Sequence, residues 1–289
     1  MKIEILDGGM GSELIQRGIV LPQHIWSAQA NIESQEIIYK IHKEYKEAGA
    51  SYLTTNTFRS TPRSYQKIGL NKKDAIQTAE ISLKNAVLLA KRAANNKCKV
   101  LGSIAPLEDC YSPNLFPGEN IAKNEFIQIG KWFQEAKVDV LLLETMNSII
   151  ETKTCLDAIS TYNIPIWVSF VLKDDKHILS GDKLLDAIKL LGDYNVDRLL
   201  INCNSLNRTE NALFIISKTW NKPWGIYPNL GFGEPSPDGN IEKIHSDEQF
   251  IEVCKEAIDQ GASLIGGCCG STPYHINLLK NIKNFNNII

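Results

Sequence analysis

Apolar residues recur along this chain in two alternating patterns. Short, mostly apolar runs fall at residues 3–6, 51–54, 100–103, 140–143, 166–170, 198–201, 225–227 and 263–265, with the length and composition of strands covered on both faces. The segments between them carry helical spacing. The clearest places Ile37, Ile38, Ile41, Tyr45 and Ala48 on one face and stops at Gly49, a natural helix terminator. Ser148-Ile149-Ile150-Glu151 and Ser246-Asp247-Glu248-Gln249 have the form of capping boxes that open helices, and Gly261 closes the second of those helices. Eight strands, each followed by a helix, with no linker or charge run between them, predict an α/β fold. The expected form is a (β/α)8 TIM barrel, one domain over residues 1–289, with a doubly wound sheet as the alternative. Residues 105–120, containing Pro106, Pro113, Pro117 and Gly118, form the main irregular loop and a candidate part of a lid.

Composition narrows the function classes. The chain has 31 basic and 33 acidic side chains and a net charge of −2, which leaves no electrostatic footprint for nucleic acid. Hydrophobic residues make up 43% and charged residues 22%, values that argue against disorder. Apolar runs fall far short of the ~20 residues of a membrane span. Glu4 and Asp7 interrupt the N-terminus where a signal peptide needs a basic and then an apolar stretch. The expectation is a cytoplasmic protein. The seven cysteines are an odd number scattered through a long chain, so free thiols rather than a disulfide framework are expected.

In such barrels chemistry sits at the C-terminal ends of the strands. The residues there are Asp7, Asn56, Ser103, Glu144, Ser169, Asn202 with Cys203, Asn229, and Cys268 with Cys269. Loops are polar in general, so the kinds of residue matter more than their polarity. The loops carrying Cys203 and Cys268–Cys269 follow strands separated by only one other, and can converge. Three thiolates on a divalent ion leave a fourth position open, the pattern of a catalytic zinc site; the alternative is a tight Gly-Gly-Cys-Cys-Gly loop whose thiols pack or oxidise. The cysteines at 98, 110, 155 and 254 are expected to pack. Glu144, at the end of a buried strand, needs a partner: a substrate ammonium, a proton, or a Lys or Arg. Asp7-Gly8-Gly9 offers a carboxylate beside backbone N–H groups that can hold an anion. Leu14 stands where a G-x-G-x-x-G motif needs its last glycine. The histidines at 24, 42, 177, 245 and 275 lack metal spacing and are expected at the surface or in caps. Trp26, Phe58, Tyr111, Trp167 and Phe232 are wall candidates near the mouth, or a cage for a cationic ligand.

Asp7-Gly8-Gly9-Met10-Gly11-Ser12-Glu13-Leu14, Trp26-Ser27-Ala28, Glu144-Thr145, Asn202-Cys203 and Gly266-Gly267-Cys268-Cys269-Gly270, in that order, together resemble the homocysteine S-methyltransferase family. Gly102-Ser103 and Tyr227-Pro228-Asn229 also resemble family positions. The resemblance implies a (β/α)8 barrel in which Cys203, Cys268 and Cys269 hold one Zn2+ ion and so activate the substrate thiol. It implies that Asp7, the backbone of Gly8 and Gly9, Glu144 and Asn202 hold homocysteine. It further implies a sulfonium methyl donor, S-methylmethionine or S-adenosylmethionine, methionine as product, and a monomer or homodimer. A barrel enzyme of different chemistry, or a non-catalytic zinc- or thiol-binding barrel, is the alternative.

Overall fold

A computed structural model describes residues 2–232, 241 and 244–286. Eight strands form one sheet: β1 (Glu4–Ile5), β2 (Tyr52–Thr54), β3 (Lys99–Ile104), β4 (Val140–Met146), β5 (Ile166–Phe170), β6 (Val196–Asn202), β7 (Trp224–Tyr227) and β8 (Leu264–Ile265). Each strand from β2 to β7 pairs in parallel with the next. β1 pairs with β8, and a parallel bridge between Leu6 and Tyr52 closes the ring. The architecture is the predicted (β/α)8 barrel. Strand ends differ from the apolar runs, because ladder pairing and not apolarity sets them: β4 runs on through Glu144 to Met146 across an irregularity in its pairing with β5.

The strands alternate between two cores, as a period of two requires. On β4, Leu142 joins Leu6, Leu101, Leu200 and Leu264 inside the barrel, while Leu141 and Leu143 pack outward against the helices. The outer layer includes the helix Gln35–Ala48, whose Ile38, Ile41, Tyr45 and Ala48 are buried and whose cap Gly49 has φ +116°. The N-terminal end of the barrel is plugged by a compensated charge. Arg198 pairs with Glu4 at 2.7 Å, Tyr52 donates to the same carboxylate at 2.7 Å, and the guanidinium lies 4.3 Å from the Trp167 ring centre. Trp167 therefore belongs to this plug and not to the mouth, because it stands near the start of β5.

His42 corrects the expectation of surface or cap histidines. It is fully buried, neither ring nitrogen has a hydrogen-bond partner, and burial lowers its pKa to about 3, so it is a neutral core residue. His275 does act in a cap, its Nδ1 accepting the Thr272 N–H at 3.1 Å. The two capping boxes also divide. Ser246 and Gln249 form both reciprocal bonds. Ser148 caps the helix Ile149–Ile159, but Glu151 instead accepts the Leu107 N–H at 2.8 Å and ties down the loop after β3.

Burial pushes the Glu151 carboxyl up to about 7, against the Leu107 hydrogen bond that lowers it. Between its unfolded value near 4.5 and about 7 the folded chain binds the extra proton, so this group makes stability fall as pH rises through that window. Glu151→Gln is expected to remove that loss. Its stability relative to wild type should rise by on the order of 1–3 kcal/mol between pH 5 and pH 8 in urea unfolding; a difference independent of pH would contradict the assignment.

Candidate active site

The C-terminal rim of the barrel gathers three thiols from two distant parts of the chain. Cys203 follows β6 and Cys268 and Cys269 follow β8; the Cys203 and Cys268 sulfurs are 2.6 Å apart, and all three lie within 4.8 Å of one another. Tetrahedral ligands on ~2.3 Å zinc–sulfur bonds sit roughly 3.8 Å apart, inside the 4.8 Å that bounds the three sulfurs; Cys203 and Cys268, at 2.6 Å, would open to that spacing around one thiophilic ion. The Cys203 and Cys269 thiols hydrogen-bond to Cys268 and hold its pKa well below the ordinary value. Cys203 is correspondingly raised by the bond it gives to Cys268. Cys110, expected only to pack, is buried near this cluster, and burial pushes its thiol up to about 12, with the charge of Cys268 adding to the effect.

Close packing, more than backbone freedom, explains the glycines around the thiols. A Cβ on Gly267 would fall 2.5 Å from Ser271, and one on Gly9 would fall 2.7 Å from the Cys268 carbonyl oxygen. Ser271 Oγ accepts the Gly9 N–H at 3.1 Å and donates to the Cys268 carbonyl at 2.6 Å, so it joins the loops after β1 and β8. The Gly9 N–H is therefore engaged within the protein. Gly8's N–H has no acceptor among the described residues, which leaves it as the one open donor of the pair. Ser271 was not singled out in the sequence; its place directly after the Gly-Cys-Cys-Gly run is the signal that could have found it.

Two carboxylates line the same mouth. Asp7 is 3% exposed; its oxygens accept the Thr54 N–H at 2.7 Å and the Thr54 hydroxyl at 2.8 Å. Burial raises its pKa well above the usual carboxylate range, the Thr54 bonds oppose the rise, and the nearby charge of Glu144 adds to it. Glu144 accepts a 2.6 Å bond from the Ser103 hydroxyl. Burial, followed by the Cys268 thiolate, lifts it to about 7. No Lys, Arg or His among the described residues pairs with either carboxylate, so the structural ion pair considered for Glu144 is not found among them. Buried carboxylates without a cationic partner among the described residues carry a desolvation cost that raises both pKa values.

The remaining strand-end polar groups are turned to structural work. Asn56 exchanges hydrogen bonds with Ser27 and Asn31 and fastens the segment after Trp26 to the end of β2. The Asn202 carbonyl accepts the Thr145 N–H at 3.1 Å and the Ser169 hydroxyl at 2.6 Å, and its amide donates to the Thr145 hydroxyl at 2.8 Å. Thr145 has φ +57°, an unfavourable region for a β-branched residue. Asn202 is thus placed as the clamp that holds the turn after Glu144. Of the aromatic wall candidates, Tyr111 packs against the inner-barrel cluster that contains Cys203 and Cys268. Phe58 lies under Arg59, and Phe232 is 58% exposed with its ring 4.1 Å from that of His245.

A model of the family described as homocysteine S-methyltransferase matches residues 4–282. The homocysteine S-methyltransferase of Escherichia coli (strain K12) is 30% identical over 298 residues, covering 96% of this chain and 94% of that protein. A selenocysteine Se-methyltransferase of Brassica oleracea var. italica is 26% identical, covering 95% of this chain and 87% of that protein. The crystal structure of the homocysteine methyltransferase MmuM from Escherichia coli in its metallated form matches with a TM-score of 0.85 at 27% identity, over 98% of this chain and 96% of that one.

Replacing Asn202 by Ala strands the Thr145 N–H and two hydroxyls in a buried site. The expected loss is about 2–4 kcal/mol of folding stability in denaturant titration. A loss below about 0.5 kcal/mol would show that the turn holds its conformation without the clamp.

Proposed function

The chain belongs to the homocysteine S-methyltransferase family, and from that premise we propose that it moves a methyl group from a sulfonium donor, S-methylmethionine or S-adenosylmethionine, to the thiol of homocysteine, with Cys203, Cys268 and Cys269 holding Zn2+. The observation that carries this reading is one juxtaposition: three sulfurs within 4.8 Å of one another beside two buried carboxylates that lack a cation among the described residues. Bound zinc would supply an electrophilic fourth position at which an incoming thiol loses its proton at neutral pH. The protein's own groups arrange the rest.

Asp7 and Glu144 receive the substrate ammonium. That cation relieves their mutual repulsion and returns them toward ordinary carboxylate behaviour, so the pair binds an α-amino thiol in preference to a simple thiol. The open Gly8 N–H is placed to receive the substrate carboxylate. In the transfer itself the homocysteine sulfur lone pair forms the new carbon–sulfur bond as the donor's bond from methyl to sulfonium breaks. The donor sulfur keeps the bonding pair and leaves as a neutral thioether. No side chain would need to remove a proton during that step, because the thiol bound by these residues with zinc would already have released its proton to solvent. The Tyr111 ring and the loop pinned by Glu151 cover the thiols and restrict water. Bringing a cationic donor next to an anionic sulfur in a poorly hydrated mouth strengthens their attraction. As a single catalytic barrel with no helix among the described residues long and apolar enough to cross a membrane, the protein is proposed to work in the cytoplasm on small molecules and to make methionine.

Reduced, zinc-supplied wild-type protein is expected to carry one zinc per chain and Cys203→Ser to lose it while keeping its circular dichroism spectrum. Metal analysis and methionine formation measured on the same samples decide this: full activity in metal-free Cys203→Ser would sink the proposal. Glu144→Gln is expected to weaken homocysteine binding by roughly tenfold to a hundredfold, about 1.4–3 kcal/mol, with zinc content unchanged. Unaltered homocysteine affinity in calorimetry would remove the role given to Glu144.

A further inference from the structure

Between the two cysteine loops stands the end of β7, and residues 228–230 bond to both sides of it. The Cys268 N–H donates to the Pro228 carbonyl at 2.8 Å, the Leu230 N–H to the Cys269 carbonyl at 3.0 Å, and the Asn229 N–H to the Asn204 carbonyl at 2.8 Å. The Asn229 side chain, 1% exposed, adds a bond in each direction. Its Nδ2 donates to the Cys203 carbonyl at 3.2 Å, and its Oδ1 accepts the Cys269 N–H at 3.1 Å. We propose that Asn229 is a positioning residue for the metal: its amide spans the loops after β6 and β8 and sets the separation at which Cys203 and Cys269 meet one ion.

The chemistry of the side chain suits this role. A carboxamide has a donor and an acceptor fixed at opposite corners of one plane, so it can brace two backbones whose open groups are of opposite kind. A carboxylate would lack the donor for the Cys203 carbonyl, and a hydroxyl is too short to reach both loops. Cys203 needs such a brace because it has φ +54°, a conformation that a non-glycine residue holds only where its surroundings impose it. With its carbonyl released, Cys203 can relax toward an ordinary conformation and swing its sulfur away from Cys268 and Cys269. The backbone bonds of residues 228–230 would still keep β6, β7 and β8 together, so the loss should fall on the metal and not on the fold.

This inference rests on the proposed three-thiol metal site, and the test separates the two. Zinc and cobalt(II) affinities are measured by competition with a chromophoric chelator for wild type, Asn229→Ala and Asn229→Ser, alongside the cobalt thiolate charge-transfer absorption and the urea midpoint of each metal-free protein. Expected are metal affinities roughly tenfold to a hundredfold weaker in both variants, the scale seen when groups supporting metal ligands are removed. The cobalt absorption should fall from that of three thiolates toward that of two, with little change in the metal-free midpoint. Should Asn229→Ala not fold, Asn229→Ser, which keeps a polar group in the gap, carries the same readouts. Wild-type affinity and absorption in a folded variant overturn the brace, as does a loss of metal-free stability with the cobalt spectrum unaltered. A wild-type protein that binds neither ion at its thiols ends the metal reading itself, and the brace with it.

Discussion

The closed ring of parallel strands is the constraint on which the site depends. Closure leaves no sheet edge and sends every strand end to one rim, so residues far apart in sequence become neighbours there. Cys203 and Cys268 stand 65 positions apart, yet only β7 separates their strands. The parallel bridge from Leu6 to Tyr52 does the same for Asp7 and Thr54. Without closure, β1 and β8 would lie apart, and the Asp7 loop could not pack on the loop that carries Cys268 and Cys269.

The two ends of the barrel treat buried charge in opposite ways. At the N-terminal end Glu4 has Arg198 and the Tyr52 hydroxyl as partners, and despite its burial its pKa is lowered by these groups. At the C-terminal end Asp7 and Glu144 have, among the described residues, only hydroxyl and N–H donors, and both are raised. A compensated charge closes one end of the barrel as part of the fold. Carboxylates left without a cationic partner among the described residues at the other end cost the folded protein stability, and the proposed ammonium substrate would relieve that cost. The same element of physics thus builds a plug at one end and the proposed receptor at the other.

Two of the turns that present the reacting groups hold a non-glycine residue in the left-handed region. Thr145 follows Glu144, Cys203 is itself one of the thiols, and both lie in the left-handed region. Each is held by a buried asparagine from another strand end, Asn202 of β6 for Thr145 on β4 and Asn229 after β7 for Cys203 after β6. The side chains next to the chemistry are therefore fixed by amides that face the protein, an arrangement that keeps the mouth in shape before any ligand arrives.

Much of this was legible in the sequence. Eight apolar runs separated by amphipathic segments specify eight βα units, because strand and helix periods are local properties of the chain, and they favour a (β/α)8 barrel over the doubly wound alternative. The Gly-Gly-Cys-Cys-Gly and Asn-Cys motifs, with Asp7 and Glu144, identify residues that the fold does bring to one rim. The partners were not legible. Glu151 has the spacing of a capping box but binds the loop after β3; Trp167 plugs the far end of the barrel; His42 is a neutral core residue. Asn56, Asn202 and Asn229 look alike as polar strand ends, yet each is committed to a different backbone clamp. Sequence spacing determines which face of an element a side chain occupies, whereas the direction of a hydrogen bond depends on the groups that packing brings opposite it. That choice, and with it the separation of the three sulfurs, was made only by the tertiary structure.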